Sequence, residues 1–156
     1  MKKTQLSKAE TQRLNQQIEA LYGLKEFLGK KESIEMTDEP MVIFVNKKPL
    51  FFVLEGNPIP TLRFVLERQI LKTVTVDMGA VRFVTQGADV MRPGIRHVDD
   101  GIEQNKIVAV VDERNRKPLA ICRALHDAEV MRNLKTGKAL QNLHYVGDSI
   151  WKAGEQ

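Results

Sequence analysis

The sequence predicts an α+β fold, with a small α/β unit over residues 1–72 followed by a small β-barrel or sandwich over residues 73–156. Three observations carry that expectation. A capped amphipathic helical pattern and two unbroken apolar runs fill the first half. After Lys72 the texture changes to short strand-like units, TVTVD, GAVRFVTQG, ADVM, KIVAVVD, PLAICRAL and NLHYVGDSIW, punctuated by turn signals, which is the pattern of a small barrel or sandwich. The 156 residues, 42% hydrophobic and 28% charged, suit one globular domain or two small ones.

Along the first half, Ser7 and Glu10 form a capping-box pattern, in which the serine oxygen takes an orphan helix N–H and the glutamate reaches back. Leu14, Ile18 and Leu21 recur at helical spacing, and Gly23 is the expected stop, giving a helix that packs on a sheet. SIEMTDEP alternates apolar and polar residues. MVIFV and LFFVLEG read as strands about a turn at Asn46 to Pro49, their unbroken apolarity implying burial on both faces. GNPIP reads as a strand break, with Pro60 in the first turn of a helix TLRFVLERQILK. Leu62, Val65, Leu66 and Gln69 would share one face of that helix.

Beyond Lys72 a single helix is expected, near Ala80 to Thr85. DERNRKP reads as a hairpin loop whose charges form a solvated tip. Asp99 and Asp100 before Gly101 read as Asx-type turn residues. NLHYVGDSIW is the expected final strand.

Composition excludes several classes of function. No run of about 18 apolar residues exists to cross a membrane, and MKKTQLSKAETQ lacks the apolar core of a signal peptide, so a cytoplasmic location and no membrane partner are expected. The lone Cys122, inside LAICRAL, can form neither an intrachain disulfide nor a multi-cysteine zinc site and reads as a buried small hydrophobe. His97, His126 and His144 lack ligand spacing, so no metal is expected. Neither a GxSxG nor a Walker-type loop occurs, and no nucleophile has a credible base, so neither catalysis nor a cofactor is expected. The net charge of +4 is only mildly basic, so any nucleic-acid site must come from local arrangement.

One stretch, GADVMRPGI at residues 87–95, places Arg92 against Pro93 and Gly94. A turn needs only the proline and the glycine, so the arginine either solvates the turn or meets an anion. The surrounding VDMGAVRFVTQGADVMRPGI resembles the opening strand, helix and second strand of the PUA domain. KIVAVVDERNRKPLAICRAL and NLHYVGDSIW resemble its later strands. With LFFVLEGNPIPTLRF ahead of it, the chain is similar to the malignant-T-cell-amplified and ligatin-like translation proteins and their archaeal stand-alone relatives, in which a pre-PUA domain precedes a PUA pseudobarrel.

The resemblance implies non-catalytic RNA binding, with tRNA or small-subunit rRNA as ligand and a translation-factor protein as a further partner. Carried onto this chain, the RNA-facing surface comprises Arg82, Phe83, Gly87, Arg92, Pro93, Gly94, Lys138, His144 and Tyr145. Gly87 and Gly94 would admit a phosphate to backbone N–H groups, although Gly87 equally suits a helix cap. Phe83 suits the core or a base stack, and Trp151 likewise. Lys135 and Lys138 either meet phosphates or solvate a loop. Two other readings stay open: an accessory module for an RNA-modification enzyme, and a protein-interaction module using apolar faces at Met41 to Val45 and Leu50 to Leu54.

Overall fold

The computed structural model describes residues 2–155, so Met1 and Gln156, the outer ends of the two expected domains, lie outside the described residues. The first half of the chain runs β1 (Lys3–Gln5), α1 (Lys8–Tyr22), β2 (Ile34–Thr37), β3 (Val42–Val45), β4 (Lys48–Leu54), β5 (Asn57–Pro60) and α2 (Leu62–Glu67). The rest runs β6 (Thr73–Val76), α3 (Met78–Val84), β7 (Val90–Met91), a 3-10 turn (Arg92–Gly94), β8 (Ile95–Val98), β9 (Ile107–Asp112), β10 (Pro118–Ala124), α4 (Ala128–Asn133), β11 (Lys138–Tyr145) and α5 (Ser149–Ala153). The first five strands form an antiparallel sheet in chain order. The other six form a mixed sheet ordered β7-β11-β10-β9-β6-β8, which curls into the expected pseudobarrel.

The start of α1 shows both halves of the capping box, and Gly23 ends the helix at φ 72° with its N–H on the Glu19 carbonyl. Leu14 and Ile18 are buried, whereas Leu21 lies at the exposed margin. Asn46 and Lys47 both adopt positive φ between β3 and β4, the backbone that a tight two-residue hairpin needs. The unbroken apolarity of β3 has its expected cause: Ile43 and Val45 enter a core with Leu14 and Ile18, while Val42 and Phe44 enter another with Leu62 and Val65.

The prolines at 58 and 60 do not break the sheet. Glu55 and Gly56 turn the chain at positive φ, and residues 57–60 pair with β4 as its outermost strand. Proline is tolerated there because an edge strand can point a missing donor away from the ladder. Pro60 therefore ends β5, and Thr61 caps α2 by accepting the Phe64 N–H. The helix closes at Glu67, so Gln69 lies beyond it and Leu66 is exposed.

The barrel strands alternate with period two. Val108, Val110, Ala120, Cys122 and Ala124 point into the barrel, while Ala109 and Ile121 point out toward the first sheet. Among the described residues this half holds three α-helices rather than one, α3 and α4 between strands and α5 after the last of them. The last strand ends at Tyr145. Gly147 reverses the chain at φ 95°, and Asp148 caps α5 by accepting the Trp151 N–H, which puts Trp151 on a helix. Asp99 acts at long range instead of within its own turn, its carboxylate accepting the Thr73 N–H at 2.8 Å.

Among the described residues, the two sheets share one of three cores. Its members Phe44, Phe52, Leu62 and Val65 come from the first sheet and α2, and Ala109, Ile121 and Ala153 come from the second half. Arg63 of α2 adds a polar tie, with its guanidinium 4.0 Å above the Trp151 ring and two of its nitrogens donating to the Trp151 carbonyl.

Candidate nucleic-acid interface

The helix α3 begins where Asp77 accepts the Ala80 N–H at 2.8 Å, and its one fully buried side chain is Val84. Arg82 and Phe83 face outward. Phe83 is 50% exposed, with the Arg82 guanidinium 4.7 Å from its ring centre. The core reading of Phe83 therefore does not hold: a helix of seven residues laid on a barrel end has room for one inward stripe, and Val84 fills it.

Past the helix, Gly87 holds φ 95°, and a Cβ added there would lie 2.8 Å from the Tyr145 ring. Both the conformation and the space require glycine. Tyr145 is thus held against the loop after α3, half-buried on the barrel core. Asn142, which motif reasoning passed over, fastens the same loop. Its side-chain amide donates to the Val84 and Ala88 carbonyls at 3.0 Å each, and its N–H donates to Asp89 at 2.9 Å. Next to Gln141 in a strand that also carries Lys138 and His144, Asn142 has no local signal to single it out; its role follows from enclosure, where an amide needs hydrogen-bond partners.

The remaining expected residues separate from this group. His144 is 1% exposed: its Nδ1 lies 2.9 Å from both Asp148 oxygens, and its Nε2 accepts the Leu62 N–H at 3.1 Å. A ring with both nitrogens engaged inside the core offers RNA nothing, so His144 leaves the candidate set. Arg92 is half-buried, donating to the Ile95 carbonyl at 3.1 Å and the Arg132 carbonyl at 3.2 Å, which ties the 3-10 turn to α4. Its fork is committed to the fold.

Gly94 has no positive φ. It is small because the turn passes α3, where an added Cβ would sit 3.0 Å from Ala80 Cβ. Pro93 beside it is exposed. Lys138 is exposed and lies 3.2 Å from the Asp89 carboxylate, and Lys135 is exposed.

One concavity lies beside the 3-10 turn, and another is lined by residues of the first half alone. A pocket of about 200 Å³ is lined by Arg92, Arg96, His97 and Arg132, but each of these side chains already has an acceptor. Arg96 meets Glu113, His97 meets Asp99, and Arg132 meets Asp100 and the Val98 carbonyl. A larger groove of about 640 Å³ lies under α1 with a mainly apolar lining that includes Leu14, Met36 and Val53, which suits no phosphate. The apolar runs offered for protein docking are largely internal: Val42 to Val45, Phe51 and Phe52 are buried, which removes the motive for that reading.

Comparison with known proteins agrees with this architecture. The PUA domain model matches residues 72–146, and a domain of unknown function, DUF1947, matches residues 2–68. An uncharacterized protein from Methanocaldococcus jannaschii is 39% identical over 94% of this chain and 93% of its own length. Translation machinery-associated protein 20 of Eremothecium gossypii is 31% identical over 82% of this chain and 76% of its own. Among solved structures, a hypothetical protein from Pyrococcus horikoshii OT3 superposes with a TM-score of 0.84 at 33% identity, covering 98% of this chain and 99% of that one.

Proposed function

The chain belongs to the PUA-domain family, in the group that includes translation machinery-associated protein 20 and malignant T-cell-amplified sequence 1, and from that premise we propose that it is a non-catalytic RNA-binding protein of translation. Its ligand in this reading is tRNA or rRNA of the small ribosomal subunit, met in the cytoplasm. A PUA unit of residues 73–156 receives the RNA, and a pre-PUA unit of residues 1–72 is packed against it.

The observation that carries the reading is the surface at α3. There an exposed arginine–phenylalanine pair stands beside a loop pinned by Asn142 and backed by Tyr145. An aromatic face can stack an unpaired base, and a guanidinium can bind phosphate. Lys138 lies at the far end of the same loop and adds a cation, while Arg92, Pro93 and Gly94 shape the turn that α3 rests on.

The experiment is equilibrium binding of the purified chain to tRNA and to small-subunit rRNA across a salt series. The expected result is an affinity that falls linearly on a log–log plot, with Phe83→Ala costing ~1–3 kcal/mol of binding. Absence of binding at low salt, or affinity indifferent to salt, would sink the reading.

A further inference from the structure

We infer that the tip of the β9–β10 hairpin, residues 113–117, is a second RNA-contacting element, a rigid cationic prong that receives phosphates of the sugar–phosphate backbone. The inference rests on the RNA-binding reading above and extends the contact surface beyond α3.

The tip carries Arg114, Arg116 and Lys117, all exposed. Charge alone would leave them an ordinary solvated loop, but the neighbouring carboxylates are withdrawn from them. Asp112 is buried beneath the turn, accepting the Arg114 N–H at 2.9 Å and the Asn115 N–H at 2.6 Å. Glu113 is turned to Arg96, at 3.3 Å. Among the described residues, no carboxylate lies within ion-pair distance of Arg114, Arg116 or Lys117. The contrast is with the pocket at Arg92, Arg96, His97 and Arg132, where each side chain already has an acceptor. The pocket's cations are each engaged internally, and the tip's cations have no carboxylate partner.

The tip is also held still. Backbone N–H groups of Asn115 first, then of Arg114, Lys117 and Arg116, outweigh burial and hold the Asp112 carboxyl below the usual carboxylate range. It is therefore ionised at neutral pH, and an ionised acceptor makes the stronger hydrogen bonds to those N–H groups. Arg116 adopts φ 55°, closing the turn before β10. A preordered loop loses less entropy when it binds.

Its position suits a shared ligand. β6 runs parallel to β9, and β11 runs antiparallel to β10, so β6, β9 and β11 all end at one end of the barrel. The tip emerges there between the end of β6, from which α3 starts, and the end of β11, which carries Tyr145. The Glu113 N–H bonds the Val76 carbonyl on one side, and the Val146 N–H bonds the Leu119 carbonyl on the other.

The test compares the intact chain with the Arg114→Ala, Arg116→Ala, Lys117→Ala triple variant, using bulk deacylated tRNA as probe across the salt series. The melting temperature should be unchanged, because the replaced side chains are exposed. Affinity at low salt should fall at least about tenfold, and the log–log salt slope should become shallower by roughly 2 to 3, one step per lost phosphate contact. The swap Arg114→Lys, Arg116→Lys, Lys117→Arg should keep the original slope. If the intact chain binds and the alanine variant keeps its affinity and slope, the prong is wrong while the RNA reading survives; a swap variant as shallow as the alanine variant also overturns the prong. If the intact chain does not bind, the RNA reading itself has failed.

Discussion

Arg92 and Arg114 carry the same charge in opposite circumstances. Arg92 spends its guanidinium on two backbone carbonyls, while its Nε is enclosed without an acceptor. Arg114 has no such tie, and its backbone alone is held, by Asp112. Replacing Arg92 by alanine should therefore lower stability by about 1–2 kcal/mol, since the Ile95 and Arg132 carbonyls lose a charged donor. Arg92→Lys should not restore it, because an ammonium lacks the planar fork that spans two acceptors. Denaturant unfolding checks this, and an unchanged midpoint would show that water replaces the guanidinium at no cost. Beside Pro93 and Gly94 in the sequence, the arginine is equally compatible with solvent and with an anion. Its real acceptors include a carbonyl forty residues away, which no local pattern signals.

At the scale of elements, five-residue α5 is too short to persist without anchoring, and Asp148 supplies the anchor. Its carboxylate caps the helix at the Trp151 N–H, accepts the Tyr145 N–H and meets His144. Because His144 Nε2 accepts the Leu62 N–H, the ring carries its proton on Nδ1, facing Asp148. Burial pushes the Asp148 carboxyl upward, but the hydrogen bond from His144 and those from the Trp151 and Tyr145 N–H groups outweigh it, so its pKa lies below the ordinary range. A carboxyl with a depressed folded-state pKa adds stability that is complete above its unfolded pKa of about 3.9 and is lost as pH falls through the folded value. Asp148→Ala should thus cost ~2–4 kcal/mol at neutral pH and flatten the acid limb of the stability curve. A thermal melt series from pH 2 to 7 reads both effects, and an unaltered acid limb would assign the acid sensitivity elsewhere.

Across the whole molecule, the shared core makes the two sheets energetically one body. Ile121 lies on the outer face of β10, fully buried among residues of both halves. Ile121→Ala should destabilise by ~2–5 kcal/mol and shift the whole transition, not that of the barrel alone. Trp151 fluorescence, which reports the junction, and far-UV circular dichroism, which reports both sheets, should give coincident curves in the parent and the variant. Two separated transitions would mean that the junction is too weak to couple the halves.

What the sequence determined by itself is whatever depends on near neighbours. The Ser7–Glu10 box, the stop at Gly23, the hairpin at Asn46, the two-faced burial of β3 and the interior place of Cys122 were all readable, because each is set by backbone preference or by apolar periodicity within a few residues. The PUA resemblance likewise led to the right family and fold class. Only the tertiary structure decided that Pro58 and Pro60 lie on an edge strand, that Phe83 is outside and His144 inside, and that the hairpin's carboxylates turn away from its cations. Each of those outcomes is set by a partner far along the chain or by the limited room on one buried face. The Leu62 N–H that meets His144 is 82 residues away, and hydrogen-bond complementarity leaves no periodic trace over such a distance.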